Sequence, residues 1–195
     1  MLEKRVVESN NLAEWQALIL EAEQKTAIRL SEELESYLVF LLMRFIKEPE
    51  ILKSVVALDF LQSQEYPRQK RKEMLRDVGD KCLLLAGFFP GRAIKKRVRV
   101  SYFVNLGQSA YFTLSNFPEL NISELYAKLC THFVGLMDIL YSVHTLNQEG
   151  KLIDLIQAEE LWQDTKSVYA LNHLRKSTNG FLVGGSGGGP SSLRH

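Results

Sequence analysis

The sequence predicts an all-α fold, a single irregular helical bundle followed by a disordered Gly/Ser-rich C-terminal tail, and three observations carry that reading. Apolar residues recur at three-and-four spacing along most of the chain, most clearly at Ile122, Leu125, Tyr126, Leu129, Cys130, Phe133, Met137, Leu140 and Tyr141. No stretch alternates as a half-buried strand would, and no repeat returns at a fixed period. Breakers at Glu48-Pro49, Tyr66-Pro67, Pro90-Gly91 and Asn116 to Pro118 then cut the pattern into helix-sized pieces.

Taken in order, Asn10 or Asn11 can cap a first amphipathic helix from Leu12 to about Lys25, with Leu12, Trp15, Leu18, Ile19 and Ala22 on one face. Ser31 caps a second, helped by Glu32 and Glu33 at the positive end of the helix dipole. Its body, Leu34 to Ile46, is apolar almost all round and so is expected at the bundle centre. A third helical pattern runs through Ile51, Leu52, Val55, Val56, Leu58 and Leu61. The next begins near Gln69 and stops by Phe89, because Pro90 biases the residue before it toward extended backbone. Ser101 is placed as the cap of a helix over Tyr102 to Leu114. Asn121 or Ser123 opens the longest helix, to about Leu146, and a weaker pattern from Lys151 to Lys176 bends near Asp164 to Ser167.

Two glycines lie inside these patterns. Gly79 shares a small-residue seam with Cys82 and Ala86, and Gly107 shares one with Ala110. A helical glycine costs roughly 1 kcal/mol relative to Ala, so close approach of another backbone is expected to offset it. The two helices are therefore expected to touch at their glycines.

Length and composition fit one helical domain, residues 1–176, with a flexible tail at 177–195 whose Gly and Ser cannot build a packed core. With 46% hydrophobic and 24% charged residues and a formal charge of +1, nothing global draws the chain to nucleic acid or membrane. The N-terminus lacks the apolar core of a secretory signal, and the run from Tyr37 to Met43 falls far short of the ~20 residues that span a bilayer. Cys82 and Cys130 lie on apolar helix faces without CxxC spacing, as buried thiols in a reducing compartment do. The expected location is the cytoplasm.

No catalytic, cofactor-binding or metal constellation is legible. The GGSGGG run at 184–189 lacks the following Lys-Ser/Thr of a phosphate loop, and Pro190 stands where its helix should begin. His132, His144, His173 and His195 have no partner ligand one turn away. Asp77 and Asp80 resemble an acid/base pair, but Arg76 and Lys81 at four-residue spacing account for both as surface ion pairs. The densest charge run, Arg92, Lys95, Lys96, Arg97 and Arg99 with Tyr102 just beyond, is the candidate contact surface. Phosphate backbones are bound by such runs, yet the balanced charge of the chain ranks nucleic acid below a protein partner.

The residues VGDKCLLLAGFFPGR at 78–92 and VRVSYFVNLGQSAY at 98–111 resemble an uncharacterised family of all-helical bacterial proteins, which carries a GD-x-x-L-x-x-x-GFF stretch followed by a tyrosine and G-x-x-AY. Where that pattern pairs tyrosines, this chain has Tyr102-Phe103. The resemblance implies a bacterial cytoplasmic origin and no activity, since the family has none established. The expected function is a non-enzymatic protein-interaction or regulatory domain, acting on a protein partner or on itself without a cofactor. The alternative is a regulator that binds a small apolar ligand or nucleic acid through segment 92–99.

Overall fold

The computed structural model describes residues 12–52, 54–89, 98–118, 120–146 and 154–183. Among them every regular element is helical: α1 (Leu12–Thr26), α2 (Glu32–Lys47), a 3-10 turn (Pro49–Leu52), α3 (Val56–Ser63), α4 (Arg68–Leu83) continued by a π-helical turn (Leu84–Phe88), α5 (Val100–Ser115), α6 (Leu120–Thr131), α7 (Phe133–Leu146), α8 (Leu155–Thr165) and α9 (Val168–Val183). None of them is long and apolar enough to cross a membrane.

The centre of the bundle is α4 against α5, with α7 closing over the π turn and α1 lying along α7. The glycine seams explain the closeness. A Cβ built on Gly79 would collide with the Tyr111 ring of α5, and one on Gly107 would meet the Phe133 ring at 2.5 Å and the Cβ of Cys82 at 2.8 Å. Each glycine thus faces a residue of the partner helix, Tyr111 in one case and Cys82 in the other. The helices touch along both seams, though not glycine to glycine. Gly87 does the same for the π turn, where a Cβ would meet the carbonyl oxygen of Met137 at 2.7 Å.

Several boundaries differ from the sequence reading, each for a physical reason. The pattern from Ile51 to Leu61 divides into the 3-10 turn and α3, because Val55 is extended (φ −85°, ψ 107°) and the Ser54 hydroxyl is held by Asp59 at 2.6 Å and Lys81 at 2.6 Å. The helix assigned to 121–146 divides at His132, although His132 N–H still donates to Lys128 O and Leu136 N–H to His132 O. Arg99, not Ser101, occupies the cap position of α5. Nor is α2 central: Leu38, Val39, Leu41 and Leu42 are buried while Phe40 points outward at 61% exposure. The last helix continues through Val183, past the boundary that composition sets at 177, and residues 184–195 lie outside those described.

A second, smaller apolar cluster joins Tyr141 of α7 to Ala158 of α8 and Ala170 of α9, with Trp162 and Tyr169 packed on it. The expected bend is present at Lys166, which adopts a left-handed conformation (φ 61°) and caps α8 through its N–H to Trp162 O. Asp138 of α7 fixes the start of α9 by accepting from Ser167 Oγ (2.6 Å) and from the backbone N–H of Val168 (2.8 Å) and Tyr169 (3.2 Å). An acidic group at a helix N-terminus satisfies donors that the helix itself cannot.

Candidate functional site

The largest concentration of polar chemistry inside the bundle lies where the glycine seam meets α2. Gly79 lets the Tyr111 ring come close against α4, and the next residue, Asp80, accepts the Tyr111 hydroxyl at 2.8 Å. From α2, one face presents Tyr37 and Arg44 to the same carboxylate. The Tyr37 hydroxyl donates to Asp80 Oδ1 at 2.6 Å and Arg44 Nη1 to Oδ2 at 3.2 Å. Arg44 also bonds Asp77 at 2.8 Å, and Tyr126 of α6 stacks on Tyr111 with ring centroids 5.9 Å apart. Asp80 is only 3% exposed.

Burial pushes the Asp80 carboxyl above its ordinary range, while the two phenols and Arg44 pull it back. Burial likewise raises Tyr37 and Tyr111 well above the usual phenol range, with the Asp80 charge adding to it. Tyr126 is pushed up to about 12, again chiefly by burial. For Arg44 burial opposes the charge, but Asp77, Asp80 and Glu48 outweigh it. The arrangement is thus a carboxylate held by three donors, whose phenols stay protonated. Each member is engaged with another across three helices, so the cluster ties α2, α4 and α5 together.

A second polar group pins α3 to α4. Lys81 Nζ donates to Asp59 Oδ2 (2.7 Å) and Ser54 Oγ (2.6 Å), while Ser54 Oγ donates to the same Asp59 oxygen (2.6 Å). A serine beside a lysine invites a nucleophilic reading. Here both Lys81 Nζ and the Ser54 hydroxyl donate to Asp59 Oδ2, so the three side chains form an internally paired group that fastens α3 to α4.

These contacts correct the surface-pair reading of Asp77 and Asp80. Lys81 turns to Asp59 instead of Asp77, Arg76 comes within 3.7 Å of Asp77, and Asp80 is buried with Arg44, 36 positions away in sequence. Sequence reasoning missed the Tyr37, Arg44, Asp80 and Tyr111 grouping. Its one visible signal is that Gly79-Asp80 and Ala110-Tyr111, both inside the quoted family-like stretches, pack against each other.

Of the candidate contact surface, Arg92, Lys95, Lys96 and Arg97 lie outside the described residues. Arg99 is exposed and lies 3.6 Å from Asp164 of α8, which also accepts the Ser101 hydroxyl at 2.9 Å. Tyr102 is exposed and meets Phe103 edge-on at 5.3 Å. The beginning of α5 is therefore fastened to α8, so Arg99 has an intramolecular partner as well as an outward face.

Among the described residues no group of three His, Cys, Asp or Glu is placed to hold a metal ion. His132 is exposed with Nδ1 against Lys128 O at 3.0 Å, and His144 packs between the rings of Phe88 and Phe89, where burial lowers its pKa. Cys82 and Cys130 are free thiols. Burial raises both, Cys82 most, which suppresses the thiolate. Comparison of the chain with protein-family models, curated proteins and solved structures returns no match.

Proposed function

We propose that the chain is a non-enzymatic helical domain of the bacterial cytoplasm that works by contact with a protein partner. Its polar clusters are internally satisfied, which leaves surface recognition as the chemistry on offer. The observation that carries the reading is α3. Val56 and Ser63 are buried, as an anchored helix requires, yet Val55, Leu58 and Leu61 are 58%, 53% and 60% exposed. Three-residue steps put these side chains on one outward strip. The charged residue of α3, Asp59, is tied to Lys81, so the strip carries no charge of its own.

A helix that is apolar on both faces is ordinarily buried on both, and an exposed apolar strip marks a contact surface. The strip is about two turns long, which suits one apolar helix of a partner laid along it in a small, reversible interface. The basic run from Arg92 to Arg99 is kept as a second candidate contact segment, one that would raise the association rate with an acidic partner. The free thiols, Cys82 buried and Cys130 partly so, and the GD and GFF stretches agree with the cytoplasmic and bacterial setting.

The test compares proteins that copurify with the parent chain and with the double substitution Leu58→Glu and Leu61→Glu from native cells. Both positions are exposed, so melting should be unchanged within a degree or two. The expected result is one or more proteins retained by the parent and lost by the variant. Identical sets from both would refute a role for α3.

A further inference from the structure

The molecule has a second surface feature that neither the polar clusters nor α3 uses. Between the C-terminal ends of α1 and α7 and the middle of α9 lies a groove of about 810 Å³, within the roughly 300–1,000 Å³ range of ligand sites. Lys25 comes from α1, Thr145 from α7, and Asn172, His173, Arg175 and Lys176 from α9. Among the described residues no Asp or Glu lines it, in a chain where 24 basic residues face 23 acidic ones.

Two of the cations here contrast with the paired cations of the core and of α6. Lys81 and Lys128 are each held by carboxylates, and Arg44 by three. Arg175 and Lys176 have no ion pair among the described residues, and the half-buried side chains of Asn172 and His173 make no hydrogen bond there. Lys25 alone has an acidic neighbour, Glu21 at 3.1 Å, one turn back on the outer surface of α1. The groove therefore offers three positive charges and two uncommitted donor-bearing side chains. Tyr169 in its wall is packed on Tyr141 with centroids 4.6 Å apart, so the uncommitted groups of the groove are its charges and its amide and imidazole donors.

We propose that this groove binds a small molecule carrying two or more phosphate groups, recognised through those phosphates. Arg175 and Lys176 supply the charge, Lys25 faces them from α1, and Asn172 and His173 donate to the remaining oxygens. Arginine suits this task because its planar fork matches two phosphate oxygens at once. An apolar ligand is disfavoured by the wall, whose polar side chains would be left unpaired. The site shares no residue with the α3 strip, so its fate is independent of the contact role.

Isothermal titration of the full chain with pyrophosphate and with ATP tests the proposal. Both should bind once per chain with similar affinity, since the base makes no contact. Arg175→Gln with Lys176→Gln, both exposed, should melt like the parent and bind at least about tenfold more weakly. Amide shifts on adding pyrophosphate should centre on α9 and Thr145. Absence of binding by either probe overturns the proposal, as does equal affinity in the variant. Displacement of pyrophosphate by a tighter-binding polynucleotide would also overturn it, by making the groove part of a nucleic-acid face.

Discussion

Replacing Gly79 or Gly107 by Ala sets two effects against each other. Helix propensity favours Ala by up to about 1 kcal/mol, whereas an added methyl against a tyrosine or phenylalanine ring costs about 1 to 3 kcal/mol of overpacking. The ring contacts are too close to relieve by a small shift, so both variants should be less stable, read as lower denaturant midpoints at constant slope. Because Tyr111 and Phe133 also touch, at 5.9 Å between centroids, the double variant should depart from additivity by about 0.5 kcal/mol or more. Asp80→Ala should cost about 3 kcal/mol or more, since it strands two buried hydroxyls and part of the Arg44 charge. Asp80→Asn keeps an acceptor and should cost less in the same denaturation measurement. The glycine seam was legible in the sequence because a helical glycine demands an offset. The ring that fills it was not, because a tyrosine in an apolar stripe reads as ordinary core. Asp80 misled for a related reason: Arg76 and Lys81 offered adequate local partners, and nothing local announces Arg44.

At the scale of elements, Asp138 gives α9 a dependence on pH. Burial outweighs its three hydrogen bonds and raises the carboxyl from 3.8 to about 6. A raised folded-state pKa means that the folded chain binds the proton more tightly than the unfolded chain. The associated stability is present below about pH 4 and is lost as pH rises through about 6. Two units correspond to about 3 kcal/mol, fading between those values. Asp80 is raised in the same direction, so Asp138→Asn should flatten the dependence only in part. Melting temperatures of the parent and Asp138→Asn from pH 4 to pH 7 would show it, and parallel curves would contradict it. Helix existence was legible from periodicity throughout. The ends of α1 and α8 were legible too, near Lys25 and in the bend at 164–167, although Ala27 and Lys166 take left-handed backbone (φ 57° and 61°) without the glycine that usually signals it.

For the whole molecule, the two apolar clusters imply unequal stability. α4, α5 and α7 share the main core, whereas α8 and α9 depend largely on the small cluster around Tyr141, Ala158 and Ala170, the Asp138 cap and the exposed link from Arg99 and Ser101 to Asp164. Native-state hydrogen exchange should therefore show residues 155–177 opening at lower free energy than residues 75–83 or 103–114, as a cooperative unit. Equal protection of all helices would argue for one undivided core. The bundle class was readable from the chain, because breakers and periodicity are local. The division into a larger and a smaller core was not, since it depends on which apolar faces meet after folding.

The π turn at Leu84–Phe88 ties geometry to the number of residues in the chain. A wide turn holds one residue more than α-helical winding needs, as an insertion into α4 would. The five residues of the π turn wind through nearly the same angle as one residue fewer would in an α-helix, so deleting Ala86 would restore ordinary winding and leave the residues beyond it near their present facing. Gly87 would stay on the side of the Met137 carbonyl, and Phe88 and Phe89 on the side of His144 and Phe45. A one-residue deletion there should lower the melting temperature less than one in the middle of α5, where the same loss would turn every later residue of the helix by about 100°.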